Sequence, residues 1–326
     1  MARVLVGTSS WTDKSLVASG WYPRSARTAE QRLRHYASIF KLVEVDSTYY
    51  FPPSEKNSEL WVQRTSPDFT FNVKAFSLLT GHPAKADALY KDLPLPRGKT
   101  QLYPHDVDPE VMEEVWERFL SALLPLHHAG RLGALLFQFP PWFVIGRESK
   151  EYVLQCASRA APMRICVEFR NRTWLSPENR EETLQFLSTH RLPYVAVDMP
   201  QGFTSSVPRV MAATADLAVM RFHGHNDAEW ESKDVQKRFR YLYSHEELVE
   251  LVPSLEKLVE QSETTHLLFN NCYRDYAQQN ALDLLHLLQD RGLPVPEATA
   301  PPPAEEEPAR PVNLELPGLH GEGRSG

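Results

Sequence analysis

Eight short apolar runs alternate with amphipathic segments along residues 1 to 293, and this alternation restricts the possible folds more than any other feature. Such a pattern is typical of a parallel sheet in which a helix follows each strand. Eight repeats favour closure into a single (β/α)8 barrel over an open, doubly wound sheet. The runs lie at 3–11, 42–50, 69–76, 133–141, 164–174, 194–200, 217–226 and 266–273.

Apolar residues recur at helical spacing between these runs, as at Val111, Val115 and Phe119. The sequence has no GxGxxG and no GxxxxGK[ST] motif, which removes the main motif support for a dinucleotide-binding or P-loop sheet. Residues 77–108 are too long for an ordinary barrel loop and are predicted to lie over one end as a lid or wall. Helices are predicted at 29–40, 110–128, 151–161, 181–190, 246–261 and 274–292.

Composition narrows the class of protein. No apolar run approaches the length of about 18 residues that a membrane span requires, so no membrane partner is expected. The first residues form a strand-like run without an apolar signal segment, which leads us to expect a cytoplasmic location. The three cysteines form no CxxC pair and indicate neither disulfides nor a structural zinc site.

The composition changes at residue 294. Residues 294–326 are rich in proline and glutamate and are predicted to form a disordered tail on a barrel domain of residues 1–293. The net charge of the chain is −7, and the tail supplies much of it. The nearly neutral barrel argues against tight non-specific binding of duplex nucleic acid, whereas a local positive pocket is compatible with it. No feature of the sequence indicates an oligomeric state.

Polar residues occupy inward positions near the ends of seven strands. Alternate strand residues point into a barrel, so Val43 and Val45 outward place Glu44 and Asp46 inward. Since active sites of such barrels lie at the C-terminal ends of the strands, these polar groups predict a pocket there. A purely structural network of buried ion pairs is the alternative. The other inward polar residues are Asn72, Lys74, Gln138, Glu168, Arg170, Asp198, Arg221, His223 and Asn270.

Several sequence blocks resemble a known family. The blocks VGTSSW, VEVDSTYY, FNVKAFSLLTGHP, LLFQFPP, VEFRNRTW, VAVDMP, RFHGHN and FNNCYRDYAQQNAL are similar, in order, to the signature blocks of the YecE-like family, domain of unknown function 72. The similarity covers residues 1 to 290. The resemblance implies a TIM-barrel fold. The activity of the family is not established, so the resemblance implies none.

An enzyme that uses carboxylate acid–base chemistry is the first functional hypothesis, with Glu168, Glu44, Asp198 and His223 as catalytic residues. Glu168 beside Arg170 should stay ionised, while a more isolated Glu44 or Asp198 would hold a proton near neutral pH. Hydrolysis of a polar, phosphorylated or sugar-containing substrate is the most general reaction of this kind. The predicted substrate-binding residues are Asp46, Tyr49, Lys74, Gln138, Arg170, Trp174, Arg221, Gly224, Asn270 and Asn271.

Two alternatives remain open. Aromatic residues after the strands, among them Trp11, Trp142 and Trp174, suit a nucleic-acid binding protein without catalytic activity. A divalent metal held by Glu168, Asp198 and His223 would make a metal-dependent enzyme, although no cofactor is otherwise expected.

Strand seven carries a separate prediction of a phosphate site. Arg221 and His223 share inward parity, and Gly224 would expose backbone N–H groups to a ligand. Phosphate sites in such barrels often follow strands seven and eight.

Overall fold

Eight parallel strands surround a buried core in the computed structural model, which describes residues 2–96, 98–232 and 234–296. Each of the eight predicted runs overlaps one of these strands, and each strand ends near the point where the predicted inward polar residues lie. The strands are β1 (Arg3–Thr8), β2 (Leu42–Val45), β3 (Thr70–Lys74), β4 (Leu132–Gln138), β5 (Ile165–Glu168), β6 (Val195–Asp198), β7 (Leu217–Phe222) and β8 (Thr264–Phe269).

The strands follow the order β5-β4-β3-β2-β1-β8-β7-β6 around a sheet that is nearly closed. Both β1 and β7 pair with β8 over six residues each. Between β5 and β6 the contact is a single parallel bridge, Val167 with Tyr194, where the Val167 N–H donates to Pro193 O at 2.9 Å. The predicted (β/α)8 barrel is confirmed, with a narrow seam at β5 and β6.

In the described residues a helix follows every strand except β6, and the helices pack their apolar faces on the barrel. In α9, a capping box at Ser244 and Glu247 begins the helix, and Leu248, Leu251 and Leu255 are buried. The helices are α1 (Lys14–Ser19), α2 (Ala29–Ile39), α3 (Glu55–Gln63), α4 (Pro109–Ser121), α5 (Leu124–His128), α6 (Arg147–Ala160), α7 (Arg180–Thr189), α8 (Val235–Arg238), α9 (His245–Glu260) and α10 (Tyr276–Asp290).

The predicted helix at 110–128 is two helices in the structure. Helix α4 ends at Ser121, and α5 restarts at Leu124 with Pro125 in its first turn, where the missing proline N–H costs nothing. Helices α1, α3 and α8 were not predicted, because short elements carry too few apolar residues to show a period.

The long segment 77–108 contains short elements of its own. Ala84–Lys85 pairs antiparallel with Gln101–Leu102, and Pro104–Asp106 forms a 3-10 turn. His82 of this segment lines the cavity at the barrel mouth. The segment therefore supplies part of a wall, as predicted.

The packed chain continues to Pro296, three residues beyond the predicted domain boundary. The Val4 N–H donates to the Pro294 carbonyl at 3.0 Å, and Val295 packs against the core. Residues 297–326 of the predicted tail lie outside the described residues. Among the described helices, none is both long and apolar enough to cross a lipid bilayer.

Candidate functional site at the barrel mouth

A cavity of about 800 Å³, here called the mouth cavity, opens at the C-terminal ends of the strands. Its floor comes from residues at strand ends, and its walls come from the loops after β1, β2, β3, β4, β6, β7 and β8. Six predicted site residues line its floor: Asp46, Lys74, Gln138, Arg170, Arg221 and His223. Tyr49 and Asn270, also predicted, line it as well.

A buried ion-pair network lies directly below the floor. Arg221, which is 1% exposed, donates from Nη1 to Glu168 Oε2 at 2.7 Å and from Nη2 to Glu44 Oε1 at 2.5 Å. Arg170 donates from Nη1 to Glu168 Oε1 at 3.0 Å. The lining of the cavity does not include Glu44 or Glu168. These two predicted catalytic carboxylates are therefore placed to hold arginines and not to contact a ligand.

The two carboxylates of this network have opposite pKa shifts. Burial raises the pKa of each, but at Glu168 the charges of Arg221 and Arg170 and the His223 hydrogen bond outweigh burial and hold the pKa well below its usual range. At Glu44 burial prevails over Arg221, and the pKa is raised. The predicted ionised state of Glu168 agrees with this environment, and so does a raised pKa for Glu44.

Asp46 is the predicted inward carboxylate that does line the mouth cavity. Its Oδ1 lies 2.9 Å from Lys74 Nζ, which also sits 4.5 Å from the centre of the Tyr49 ring. Burial opposes ionisation of Asp46, but Lys74 and Arg221 lower its pKa overall. The cavity therefore contains an ionised carboxylate paired with an ammonium group.

Arg170 presents a guanidinium to the cavity. Its side chain is 8% exposed and lies 5.1 Å from the centre of the Trp230 ring. Its Nη1 contacts both Glu168 and His223. Within the described part of the chain, Nε and Nη2 of Arg170 have no hydrogen-bond partner. Two N–H directions of a planar donor are thus open to a ligand.

His223 is neutral in this setting. Its Nδ1 lies 2.9 Å from Asn270 Nδ2, and its Nε2 lies 3.5 Å from Glu168 Oε1. Burial lowers the pKa of His223 to about 3, despite the nearby Glu168 carboxylate. The imidazole offers hydrogen bonds and no positive charge at neutral pH, so it does not supply the cationic half of the predicted phosphate site.

Gly224 does not complete that site either. Its N–H donates to Tyr243 Oη at 2.9 Å, and its φ of 83° requires glycine. A Cβ here would lie 2.5 Å from Tyr241 Cβ. Gly224 serves close packing on the segment before α9, so its N–H is occupied, and the anion site at Arg221, His223 and Gly224 stays a prediction without that donor.

Asp198 belongs to a different cluster. It accepts hydrogen bonds from His225 and Tyr243, both at 2.7 Å, and from Arg209 at 3.0 Å. Burial opposes its ionisation, but the His225 and Tyr243 hydrogen bonds lower its pKa. Of the two carboxylates expected to be more isolated, Glu44 or Asp198, Asp198 is not isolated, since partners from three different loops surround it.

Two other predicted binding residues pack inside the protein. Trp174 is fully buried, stacks on Phe169 at 3.9 Å and donates to Phe143 O. Asn271 is fully buried and donates to Tyr241 O and to Asn280. The indole N–H of Trp174 and the amide of Asn271 both donate to internal acceptors and so stabilise loops around the mouth. Neither residue lines the cavity.

The predicted metal trio does not assemble. The described residues contain no group of three or more His, Cys, Asp or Glu arranged to hold a metal ion, and Asp198 is committed to His225, Tyr243 and Arg209. Glu168 lies beside His223 and two arginines, and the other ring nitrogen of His223 lies beside Asn270.

The β1 loop contributes polar groups that the sequence did not reveal. Ser9 and Ser10 line the mouth cavity. Ser9 Oγ is buried without a hydrogen-bond partner among the described residues, and Ser10 adopts a φ of 127°, a conformation that non-glycine residues rarely adopt. Strained backbone and unpaired polar atoms concentrate at functional sites.

The loop after β7 forms the opposite wall. Trp230, Arg238 and Phe239 line the cavity, and Arg238 Nε is buried without a partner in the described part of the chain. The signal that would have found them is a tryptophan and an arginine–phenylalanine pair shortly after a strand end.

Comparison with known proteins agrees with the architecture. The family model described as protein of unknown function DUF72 matches residues 5–306. The chain belongs to the DUF72 family. A curated relative, UPF0759 protein YunF from Bacillus subtilis (strain 168), is 32% identical over 291 residues, which cover 87% of this chain and 94% of YunF.

Solved DUF72 structures show the same fold. A DUF72 family protein from Thermotoga maritima MSB8 is 32% identical, with a TM-score of 0.70, and the match covers 88% of this chain and 99% of that one. A DUF72 family protein from Enterococcus faecalis V583 is 26% identical, with a TM-score of 0.72, and the match covers 88% and 95% of the two chains. The resemblance seen in the sequence blocks is confirmed.

Proposed function

We propose that this DUF72 protein is a hydrolase of small phosphorylated molecules, which uses Asp46 as its general base. The observation that carries the proposal is the placement of an ionised carboxylate, Asp46, in the same cavity as the unsatisfied guanidinium of Arg170. A base and an anion holder in one enclosed pocket are the two parts that ester hydrolysis requires.

Arg170 is the proposed phosphate-binding residue. Its guanidinium has two free N–H directions, and Glu168 fixes its orientation from below. Arg238, which lines the opposite wall, adds a second cation whose Nε has no partner in the described residues. Gln138, Asn270 and Ser9 line the same cavity and supply hydrogen bonds for hydroxyl groups.

The proposed reaction starts from a water molecule beside Asp46. Asp46 takes a proton from this water as its oxygen bonds to phosphorus, and the bond from phosphorus to the ester oxygen breaks. The Lys74 ammonium, 2.9 Å from Asp46, donates a proton to the departing alkoxide. The products are an alcohol and inorganic phosphate, and the proton taken by Asp46 restores Lys74.

Phosphate release from p-nitrophenyl phosphate and a panel of sugar phosphates tests the proposal. Asp46→Asn is expected to lower kcat by about 100-fold or more, the usual contribution of a general base. Binding of the substrate, measured by calorimetry, should change little. Arg170→Lys keeps a charge next to Glu168 but loses the planar fork, so it should raise KM about tenfold.

Matched controls separate these effects from general loss of charge. Asp87→Asn and Arg172→Lys alter exposed residues of the same types outside the cavity and should leave kcat and KM unchanged. The proposal is wrong if the wild type releases no phosphate from any compound of the panel, or if Asp46→Asn hydrolyses as fast as the wild type.

A further inference from the structure

A second, shallow cavity of about 560 Å³ lies at the rim of the barrel mouth. Three of its lining residues carry rings: Tyr103, His105 and Trp142, here called the aromatic subsite. Trp142 is 57% exposed, and Tyr103 stacks on His105 with ring centres 5.5 Å apart and planes within 13°. An exposed tryptophan beside a stacked pair of rings leaves a large apolar surface without a partner.

The aromatic subsite lies next to the mouth cavity. The Trp142 ring lies 5.6 Å from His82, and His82 lies 5.3 Å from Tyr49. His82 and Tyr49 both line the mouth cavity, and Lys74 lies over the Tyr49 ring. A row of rings therefore leads from the charged floor to Trp142, so one elongated ligand can occupy both cavities.

The lining of the aromatic subsite favours one kind of chemical group at the end of the ligand that is far from the cavity floor. Gly81 and Pro104 complete the subsite, so its side-chain polar atoms are one phenol, one indole N–H and one imidazole. Sugar hydroxyls or peptide groups would find few hydrogen-bond partners on this surface. The face of a nucleobase needs none, since it stacks on aromatic rings.

The positive charges of the mouth cavity favour an anionic group at the other end of the ligand. Arg170, Arg238 and Lys74 line the mouth cavity next to this row, and Arg170 has unpaired N–H groups in the described structure. We propose that the aromatic subsite binds the base of a nucleotide whose phosphate lies at Arg170. This inference rests on the proposed phosphate site and names its substrate class as nucleoside phosphates.

Calorimetry with adenosine 5′-monophosphate, ribose 5-phosphate and glucose 6-phosphate tests the base contact directly. Ribose 5-phosphate keeps the sugar and the phosphate but has no base. The wild type should bind adenosine monophosphate about tenfold more tightly than ribose 5-phosphate, a typical contribution of one stacked base. Trp142→Ala should remove this difference and leave the affinity for ribose 5-phosphate unchanged.

Phe51→Ala is the matched control, because Phe51 is also 57% exposed but lines neither cavity. It should leave all three affinities unchanged. Equal affinities of the wild type for the first two ligands would overturn the inference, and so would a Trp142→Ala effect confined to glucose 6-phosphate.

Arg170→Lys distinguishes failure of the inference from failure of the proposed function. If ribose 5-phosphate binds through Arg170 but the base adds no affinity, the aromatic subsite is wrong and the phosphate site stands. If the base contributes through Trp142 while Arg170→Lys binds both ligands as well as the wild type, the subsite stands and the phosphate site is wrong. Absence of binding by all three ligands overturns the inference.

Discussion

Arg221 organises the interior of the barrel below the mouth. Its guanidinium connects Glu44 on β2 with Glu168 on β5, and all three side chains are at most 1% exposed. Burial of charges is costly, and each member of this trio is stable only because the others neutralise it. Arg170 and His223 stand on the same network, so the orientation of the groups in the cavity depends on it.

Glu168→Gln should therefore destabilise the protein. The neutral amide leaves Arg221 with one carboxylate partner, and breaking a buried pair in this way typically costs about 3–5 kcal/mol. Urea unfolding of the variant measures this loss, with the exposed Glu181→Gln as control. A decrease in the free energy of unfolding of less than about 1 kcal/mol would contradict a structural role for Glu168.

The alternation of strand residues predicts which side chains point inward, but it does not predict their depth. Glu44, Glu168 and Arg221 are all inside, as expected. Glu44 and Glu168 nevertheless lie below the cavity floor, because the long side chain of Arg221 reaches both and closes over them. Gly224 shows a second limit, since the acceptor of its N–H, Tyr243, lies 19 residues further along the chain.

Loops around β6 and β7 meet at Asp198. Arg209 comes from the loop after β6, His225 from the loop after β7, and Tyr243 from the segment before α9. The sequence placed Asp198 at a strand end correctly, but its partners are loop residues whose positions follow no periodic pattern. Contacts of this kind become known only when the whole barrel is assembled.

This cluster predicts a pH-dependent contribution to stability. The hydrogen bond to Asp198 raises the pKa of half-buried His225 above its ordinary value of 6.5. The stabilisation by His225 is thus fully present below pH 6.5 and is lost as pH rises through the higher folded-state pKa. The wild type should exceed His225→Gln in free energy of unfolding by more at pH 6 than at pH 8.5.

Urea unfolding across this pH range, with exposed His128→Gln as control, measures the difference. A difference between wild type and His225→Gln that stays constant with pH would show that His225 does not titrate against Asp198.

At the scale of the whole molecule, the start of the barrel is tied to the end of the described chain. Val4 at the beginning of β1 donates to Pro294, and Val295 packs against the core. Composition predicted the change near residue 294 but not the packing of residues 294–296, because a few hydrogen bonds and one apolar contact leave no periodic signal.

Truncation tests this boundary. A chain that ends at Pro296 should melt within about 1 °C of the full chain, since a proline- and glutamate-rich segment is expected to bury little surface. A chain that ends at Leu293 loses the hydrogen bonds from Val4 N–H to Pro294 O and from Gln289 Nε2 to Pro296 O, each worth about 1 kcal/mol, and should melt at least about 2 °C lower. Equal melting temperatures of the two truncated chains, or a large loss on removing residues 297–326, would contradict this boundary.

At the narrow seam between β5 and β6, few backbone hydrogen bonds hold the two strands together. Elsewhere a ladder of backbone hydrogen bonds fixes the spacing of neighbouring strands, but here one bridge at Val167 does so. The Arg221–Glu168 pair joins β7 to β5 across the interior and so spans this seam. The geometry of the mouth at this seam should therefore depend on the Arg221–Glu168 pair as well as on the backbone.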